Sequence, residues 1–242
     1  MIGVFMDYIS FIGIALFVLL SLFLLSIKAL DVTATIVAFL FGIIIIKLQG
    51  ISWFIILFTF LIVSLYATFY GRAKSHEPKH ECRRVDNVIS NGLVAFMTTV
   101  FSFPYVFLGS VSAALSDTLS SEIGILSKED PRMIINLSKS VPKGTNGAVS
   151  LLGTLAAAGG AFLTAILAVL FASSFLPAEQ AALLSSKIIL FVAVFVGGFL
   201  GGIADSFLGI LENEGLMTNG SVNFMATLIG GLITAGIINF LL

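Results

Sequence analysis

Charged residues cut this chain into long apolar runs. No Asp, Glu, Lys or Arg occurs in residues 8–27, 32–46, 48–71, 87–116, 144–178, 188–204 or 215–242. A helix needs about 20 apolar residues to cross a hydrocarbon core of roughly 30 Å, so nearly the whole chain reads as membrane helix. The first run differs from a signal peptide, because Asp7 replaces the basic start and no small-x-small cleavage site precedes Lys28. It reads as a retained first span. The run 87–116 would make one helix of about 45 Å, too long for a single crossing without strong tilt. Pro104, within Phe103-Pro104-Tyr105, offers the break, since a helix interior does not readily tolerate proline. Two short spans are predicted there, 88–102 and 105–123. The expected fold is an all-α polytopic membrane protein with about 8 transmembrane helices and no strand.

Composition sharpens this picture. Of 242 residues, 58% are hydrophobic and 10% charged, against roughly 45–50% and about 25% in soluble domains. With a mean hydropathy of +1.13, a soluble enzyme, a disordered chain and a nucleic-acid binder are all excluded. The single Cys82 rules out an internal disulfide framework. Net charge is only -1, so the informative question is where the charges sit. Nine of the 12 basic residues fall in two segments: Arg72, Lys74, Lys79, Arg83 and Arg84, then Lys128, Arg132, Lys139 and Lys143. The positive-inside rule puts both segments in the cytoplasm, with an even number of crossings between them. The expected layout is a three-helix membrane region over 1–70, a basic cytoplasmic loop over 71–87, and a membrane domain over 88–242 with a cytoplasmic loop at 127–147.

Short sequences recur in register with these spans. Ser90-Asn91-Gly92-Leu93-Val94, Thr145-Asn146-Gly147-Ala148-Val149 and Thr218-Asn219-Gly220-Ser221-Val222 are each expected to open an apolar helix. Two other helices end alike, in Leu115-Ser116-Asp117-Thr118-Leu119 and Ile203-Ala204-Asp205-Ser206-Phe207. The chain thus reads as an Asn-Gly helix outward and an Asp-Thr/Ser helix back, repeated, then a last outward helix. Gly153, Gly159 and Gly160, then Gly197, Gly198, Gly201 and Gly202, then Gly230, Gly231 and Gly236 crowd these helices. They read as close-packing faces rather than a phosphate loop, because no strand precedes them.

Acids in a membrane protein are costly and usually face a cavity or a partner. Asp117, Glu122, Asp205 and Glu212 lie near helix ends at the cytoplasmic boundary. Asp205 and Glu212 are nearly two turns apart and share a face. Asp117 and Glu122, five apart, meet only if their helix unwinds between them. Carboxylates converging beside basic loops suit Mg²⁺ with a phosphorylated substrate; equally, such acids can simply mark solvated helix ends. The loop from Ser127 ends in Val141-Pro142-Lys143-Gly144-Thr145-Asn146-Gly147 at a helix mouth, where Thr or Asn capping would favour an anion. His76-Glu77-Pro78-Lys79-His80 matches the zinc-peptidase pattern H-E-x-x-H. That pattern needs both imidazoles on one helix face, and Pro78 clashes with that turn. No third His exists, so the match reads as coincidence.

These landmarks also carry a resemblance. Ser116-Asp117-Thr118-Leu119-Ser120-Ser121-Glu122-Ile123-Gly124, followed by Lys139-Ser140-Val141-Pro142-Lys143-Gly144-Thr145-Asn146-Gly147-Ala148-Val149-Ser150, resembles the signature of the phytyl-phosphate kinase and transmembrane protein 19 family. Asp205-Ser206 and Thr218-Asn219-Gly220-Ser221-Val222-Asn223 resemble its C-terminal pattern, and the likeness covers roughly residues 70–242. The resemblance implies phosphoryl transfer from CTP, or another nucleoside triphosphate, to a phytyl or geranylgeranyl monophosphate, giving the diphosphate. It implies Mg²⁺ on Asp117, Glu122 and Asp205, with Lys139 and Lys143 as catalytic cations. Asn91, Thr118, Ser121, Arg132, Thr145, Asn146, Asn219 and Asn223 are the implied substrate-binding residues. Plant members carry Glu where Asn146 and Asp205 stand, and the expectation here is an archaeal or bacterial type without a transit peptide. The expected site faces the cytoplasm from the cell membrane, its partners being the prenyl phosphate, the nucleotide and membrane lipid. A homo-oligomer is compatible with this layout.

Two rival readings share these features. A transporter or flippase for a lipid phosphate would use repeats and glycine-broken helices, but its site should lie near the midplane. Nucleotidyl transfer to a lipid phosphate would use the same residues and release pyrophosphate.

Overall fold

A computed structural model describes residue 18 and residues 22–27, 29–75 and 84–242. Most of the first apolar run, Lys79, Arg83, Cys82 and the His76–His80 segment lie outside the described residues. The long helices are α1 (Val32–Gln49), α2 (Ile51–Ser75), α3 (Val85–Val100), α4 (Pro104–Gly124) and α5 (Leu151–Leu170). After a short α6 (Ala178–Ala182) come α7 (Leu184–Asn213) and α8 (Asn219–Leu241). Five of them are long and apolar enough to cross a membrane: α1, α2, α5, α7 and α8. The remaining two are α3, only 16 residues long, and α4, which carries Asp117 and Glu122.

Local sequence sets the boundaries. Asp31 caps α1 through its carboxylate, which accepts from Ala34 N at 2.6 Å, and Gly50 at φ 89° turns the chain into α2. Pro104 begins α4, as expected of a residue whose missing N–H costs nothing in a first turn. The two short helices of the long uncharged run therefore form as predicted, at 85–100 and 104–124 rather than 88–102 and 105–123. Thr218 and Ser221 cap α8 reciprocally.

Interhelix hydrogen bonds define two ends. At one, Gln49 Nε2 at the close of α1 donates to Thr99 O (2.9 Å) and Ser102 Oγ (2.8 Å) in the α3–α4 turn. Trp53, at the start of α2, packs on Phe107 and Phe175 at the same end. At the other end, Thr68 near the close of α2 meets Glu122 near the close of α4. That end carries Lys74, Arg84 and the 125–150 segment, and is called the basic end below.

The absence of strands is corrected. Within the segment at 127–149, β1 (Arg132–Met133), β2 (Asn136–Ser140) and β3 (Ala148–Val149) form an antiparallel sheet in the order β2-β1-β3. Strand β2 is exposed along its whole length, and the open edges of the sheet are acceptable only in water, outside the bilayer. Asn-Gly pairs open helices less uniformly than expected. Asn219-Gly220 starts α8, Asn91-Gly92 falls in the second turn of α3, and Asn146-Gly147 precedes α5 by several residues.

The buried centre is α4, with every residue from Phe107 to Ser116 buried. Helices pack against it through small residues. A methyl group added at Gly230 would lie 2.7 Å from Ala113 Cβ and 3.0 Å from the carbonyl oxygens of Gly109 and Gly197. One at Gly202 would lie 2.7 Å from Ser116 Oγ, and one at Gly160 3.0 Å from Leu115 O. Hydroxyls bridge the same seams: Ser112 donates to Val194 O (3.1 Å), Ser116 to Ala157 O (3.0 Å) and Thr234 to Ala193 O (3.2 Å). Gly230→Ala should therefore cost about 1–3 kcal/mol through overpacking, read as a lower thermal midpoint of the detergent-solubilised protein. Gly159→Ala, with nothing within 4 Å, should leave that midpoint unchanged or raise it.

Candidate functional site

At the basic end, the α4–α7 seam brings two acids together. The carboxyl groups of Asp117 and Asp205 lie close together in the lining of one cleft, and Glu212 adds its charge nearby. Asp205 Oδ2 is buried with no hydrogen-bond partner. Packing explains the meeting: Gly198 lies against Ser112 and Gly202 against Ser116, so the next residues along each helix include Asp205 and Asp117. The pair forms one wall of a cleft of about 720 Å³, measured to its open mouth.

The facing wall is the loop Lys143-Gly144-Thr145-Asn146-Gly147, also in the cleft lining. Gly144 (φ 80°) and Gly147 (φ 77°) make its two turns, a backbone conformation that suits glycine. Thr145 Oγ1 donates to Pro142 O at 2.7 Å, and Ile134 N donates to Gly147 O at 2.9 Å, joining the loop to the sheet. Asn213 Nδ2 at the end of α7 donates to Asn146 O at 2.9 Å, and Gly209 lies against Gly147 N. Lys143 Nζ donates to Ser127 O. A cation, two carboxylates and a turn of polar backbone thus share one cavity at the end of the bundle.

Of the sequence-predicted residues, Asp117, Ser121, Lys143, Thr145, Asn146 and Asp205 line this cleft. Glu122 does not join the acids. Helix α4 stays helical between Asp117 and Glu122, and Glu122 Oε1 accepts from Thr68 Oγ1 at 2.6 Å on the α2 side. Among the described residues, no group of three His, Cys, Asp or Glu is placed to hold a metal; Asp117 and Asp205 lie together while Glu122 sits apart on the α2 side. Thr118 is buried, and its carbonyl accepts from Ser121 Oγ at 3.1 Å. Lys139 is exposed on β2, and Arg132 Nη1 on β1 donates to Leu137 O at 2.8 Å. Asn91 donates to Asn87 O at 3.1 Å. Asn219 lines a different opening, between Arg84 and Thr218, and accepts from Asn223 Nδ2 at 3.4 Å. Thr145 and Asn146 cap no helix; Ser150 Oγ caps α5 instead, accepting from Gly153 N at 3.1 Å.

Sequence reasoning overlooked Ser120, Ser150 and Ser206 in the cleft, and Asn213 as its clamp. Ser120 and Ser206 adjoin residues already singled out. Asn213 gave no signal, because its role depends on where the distant loop lands.

This helical architecture with a polar site at one end places the chain among integral membrane proteins. It belongs to the integral membrane protein family DUF92, whose family model matches residues 15–231. Uncharacterized membrane protein MJ0933 of Methanocaldococcus jannaschii is 34% identical over 232 residues, 92% of each chain. Protein PGR of Arabidopsis thaliana is 39% identical over 105 residues, 42% of this chain and 35% of that protein. No solved structure matches.

The loop clamp is testable. Gly147→Ala would press a methyl group to 2.8 Å from Ile210 Cγ1 and 3.0 Å from Ser206 O, at a strained φ. Both it and Asn213→Ala, which removes a hydrogen bond of about 1 kcal/mol, should speed amide exchange and proteolysis across 142–149 while leaving α4 and α7 protected.

Proposed function

We propose that this protein is a prenyl-phosphate kinase, transferring the terminal phosphoryl group of CTP or another nucleoside triphosphate to a phytyl or geranylgeranyl monophosphate. The products are a nucleoside diphosphate and the prenyl diphosphate. The observation that carries the reading is the contact between Asp117 and Asp205, with its orphaned buried oxygen, opposite Lys143 and the glycine-turned loop. The sequence resemblance across the same residues supports it independently.

Two carboxylates are hard oxygen donors of the number Mg²⁺ commonly takes from a protein, the rest of its shell coming from phosphates and water. Asp117 and Asp205 would hold the ion, and bound there it would neutralise charge on the donor and acceptor phosphates. Lys143 supplies a fixed positive charge to the oxygens of the transferring group, where preorganised electrostatics contributes most of the rate. A methyl group added at Gly144 would meet nothing within 4 Å, so the loop turn leaves room for phosphate beside that ammonium. Ser120, Ser121 and Ser206 offer hydroxyl donors around the same cavity. Apolar helices below keep the lipid tail in the bilayer and its phosphate at the surface.

The wider layout belongs to the same proposal. Eight crossings follow if the apolar run at 8–27 precedes the seven long helices of the described residues. The α3–α4 and α5–α7 pairs are repeats, a reading favoured by the meeting of their returning helices at Asp117 and Asp205. The basic residues then put the cleft on the cytoplasmic face.

Purified protein with Mg²⁺, geranylgeranyl monophosphate and CTP, ATP or GTP should yield diphosphate. Asp117→Asn and Asp205→Asn should each cut transfer by about 100-fold or more, and Lys143→Ala by a similar factor, without loss of folded protein. Glu122→Gln should retain transfer and instead lower the thermal midpoint, since it weakens the α2–α4 contact. A nucleotidyl lipid as product would identify the nucleotidyltransferase, and no nucleotide consumption with any prenyl phosphate would favour the transporter.

A further inference from the structure

We infer that the lipid phosphate reaches the cleft sideways, through a notch between the β-sheet segment and the first turn of α5. This inference rests on the reading of the cleft as a lipid-phosphate site.

The starting point is the outer face of α5. Leu151, Leu155, Phe162, Ile166 and Leu170 are all exposed, with Leu151 at 77% and Leu155 at 61%. Their spacing of four or seven residues puts them on one stripe along the whole helix. At 1.5 Å per residue, the 20 residues of α5 span about 30 Å, the thickness of the hydrocarbon layer. An apolar stripe of that length is satisfied by lipid tails, so Leu151 marks the level where tails give way to headgroups.

At that level lies a notch of about 1040 Å³. Its lining includes Leu151 and Leu152 from α5, and Lys128 and Arg132 from the preceding segment. An apolar floor with cations above it matches an amphiphile whose tail points down the stripe and whose phosphate sits at the surface. Glu129 and Asp130 also line the notch and offset its charge. Selection of a lipid phosphate there rests on where Lys128 and Arg132 sit rather than on net charge.

The notch adjoins the cleft. Ser150 lines both. Ser127 of the notch accepts from Lys143 Nζ of the cleft, so one hydrogen bond spans the partition. A lipid monophosphate bound by Lys128 and Arg132 needs only to pass Ser150 to meet Lys143 and the Asp117–Asp205 pair, without its tail leaving the bilayer. Arg132 thus serves substrate delivery from outside the cleft.

The test uses the full-length protein in nanodiscs and the double variant Lys128→Ala/Arg132→Ala. With geranylgeranyl monophosphate in the bilayer, the variant's KM should rise by about tenfold or more with kcat nearly retained. With a short, water-soluble prenyl monophosphate that bypasses the membrane, the KM should rise far less. Equal changes for the two substrates, or none, would overturn the lateral route. Retention of geranylgeranyl monophosphate by the protein, read by native mass spectrometry, separates this inference from the kinase reading. The double variant should lose retention severalfold while Asp117→Asn keeps it. If nucleotide is never consumed but this retention pattern holds, the kinase reading falls and the passage stands. If the double variant retains as much lipid phosphate as the wild type, the passage falls whatever the activity.

Discussion

The whole arrangement depends on how closely α4, α7 and α8 approach. In a bilayer, apolar burial alone does not drive helices together, because lipid tails are as apolar as side chains. Here the drive comes from backbone proximity, with Gly197, Gly198, Gly201 and Gly202 of α7 and Gly230 of α8 meeting Ser112, Ala113, Ser116 and neighbouring carbonyls. Helices zipped this tightly have no freedom in their relative register. One consequence is the contact between Asp117 and Asp205, which no flexible pair of helices would sustain. Carboxylates in contact repel when both are charged unless a cation stands between them. The glycines thus hold in place an arrangement that binding would relieve.

Around that rigid floor the protein builds a roof of a different kind. The segment from Ser127 to Val149 lies beyond the helices, folds as a small sheet and turns on two left-handed glycines, Gly144 and Gly147. It is attached at identifiable points: Asn213 on Asn146, Gly209 against Gly147, and Lys143 on Ser127. The floor supplies two carboxylates and the hydroxyls of Ser120, Ser121 and Ser206, while the roof supplies the ammonium group of Lys143. This division suits phosphoryl transfer, which asks the protein to position and neutralise rather than to form bonds.

Much of this was legible in the sequence for physical reasons. The membrane class followed from apolar run length, and the α3–α4 break followed from Pro104, because each is fixed by local chemistry. The candidate acids Asp117 and Asp205 and the Lys143–Gly147 loop were legible because charge is rare here and therefore conspicuous. The sheet was not, since strands of two to five residues in a polar loop leave a pattern too short to separate from coil. Glu122 was conspicuous through the same rarity of charge, but its contact with Thr68, 54 residues away on another helix, could not be read from local sequence. Counting residues correctly warned that an intact helix would part Asp117 from Glu122. The clamp by Asn213 depended on a long-range landing point that no local pattern encodes.

The contrast between floor and roof has a kinetic meaning. Zipped helices open only by breaking many contacts at once, whereas the roof is held by a handful of hydrogen bonds facing water. On the kinase reading, opening for release of the more highly charged product would therefore fall to the aqueous side. Turnover, on that reading, would respond to solutes that compete for Lys143 or loosen the sheet and be comparatively indifferent to bilayer thickness, so that a catalyst embedded in lipid would be paced by the water above it.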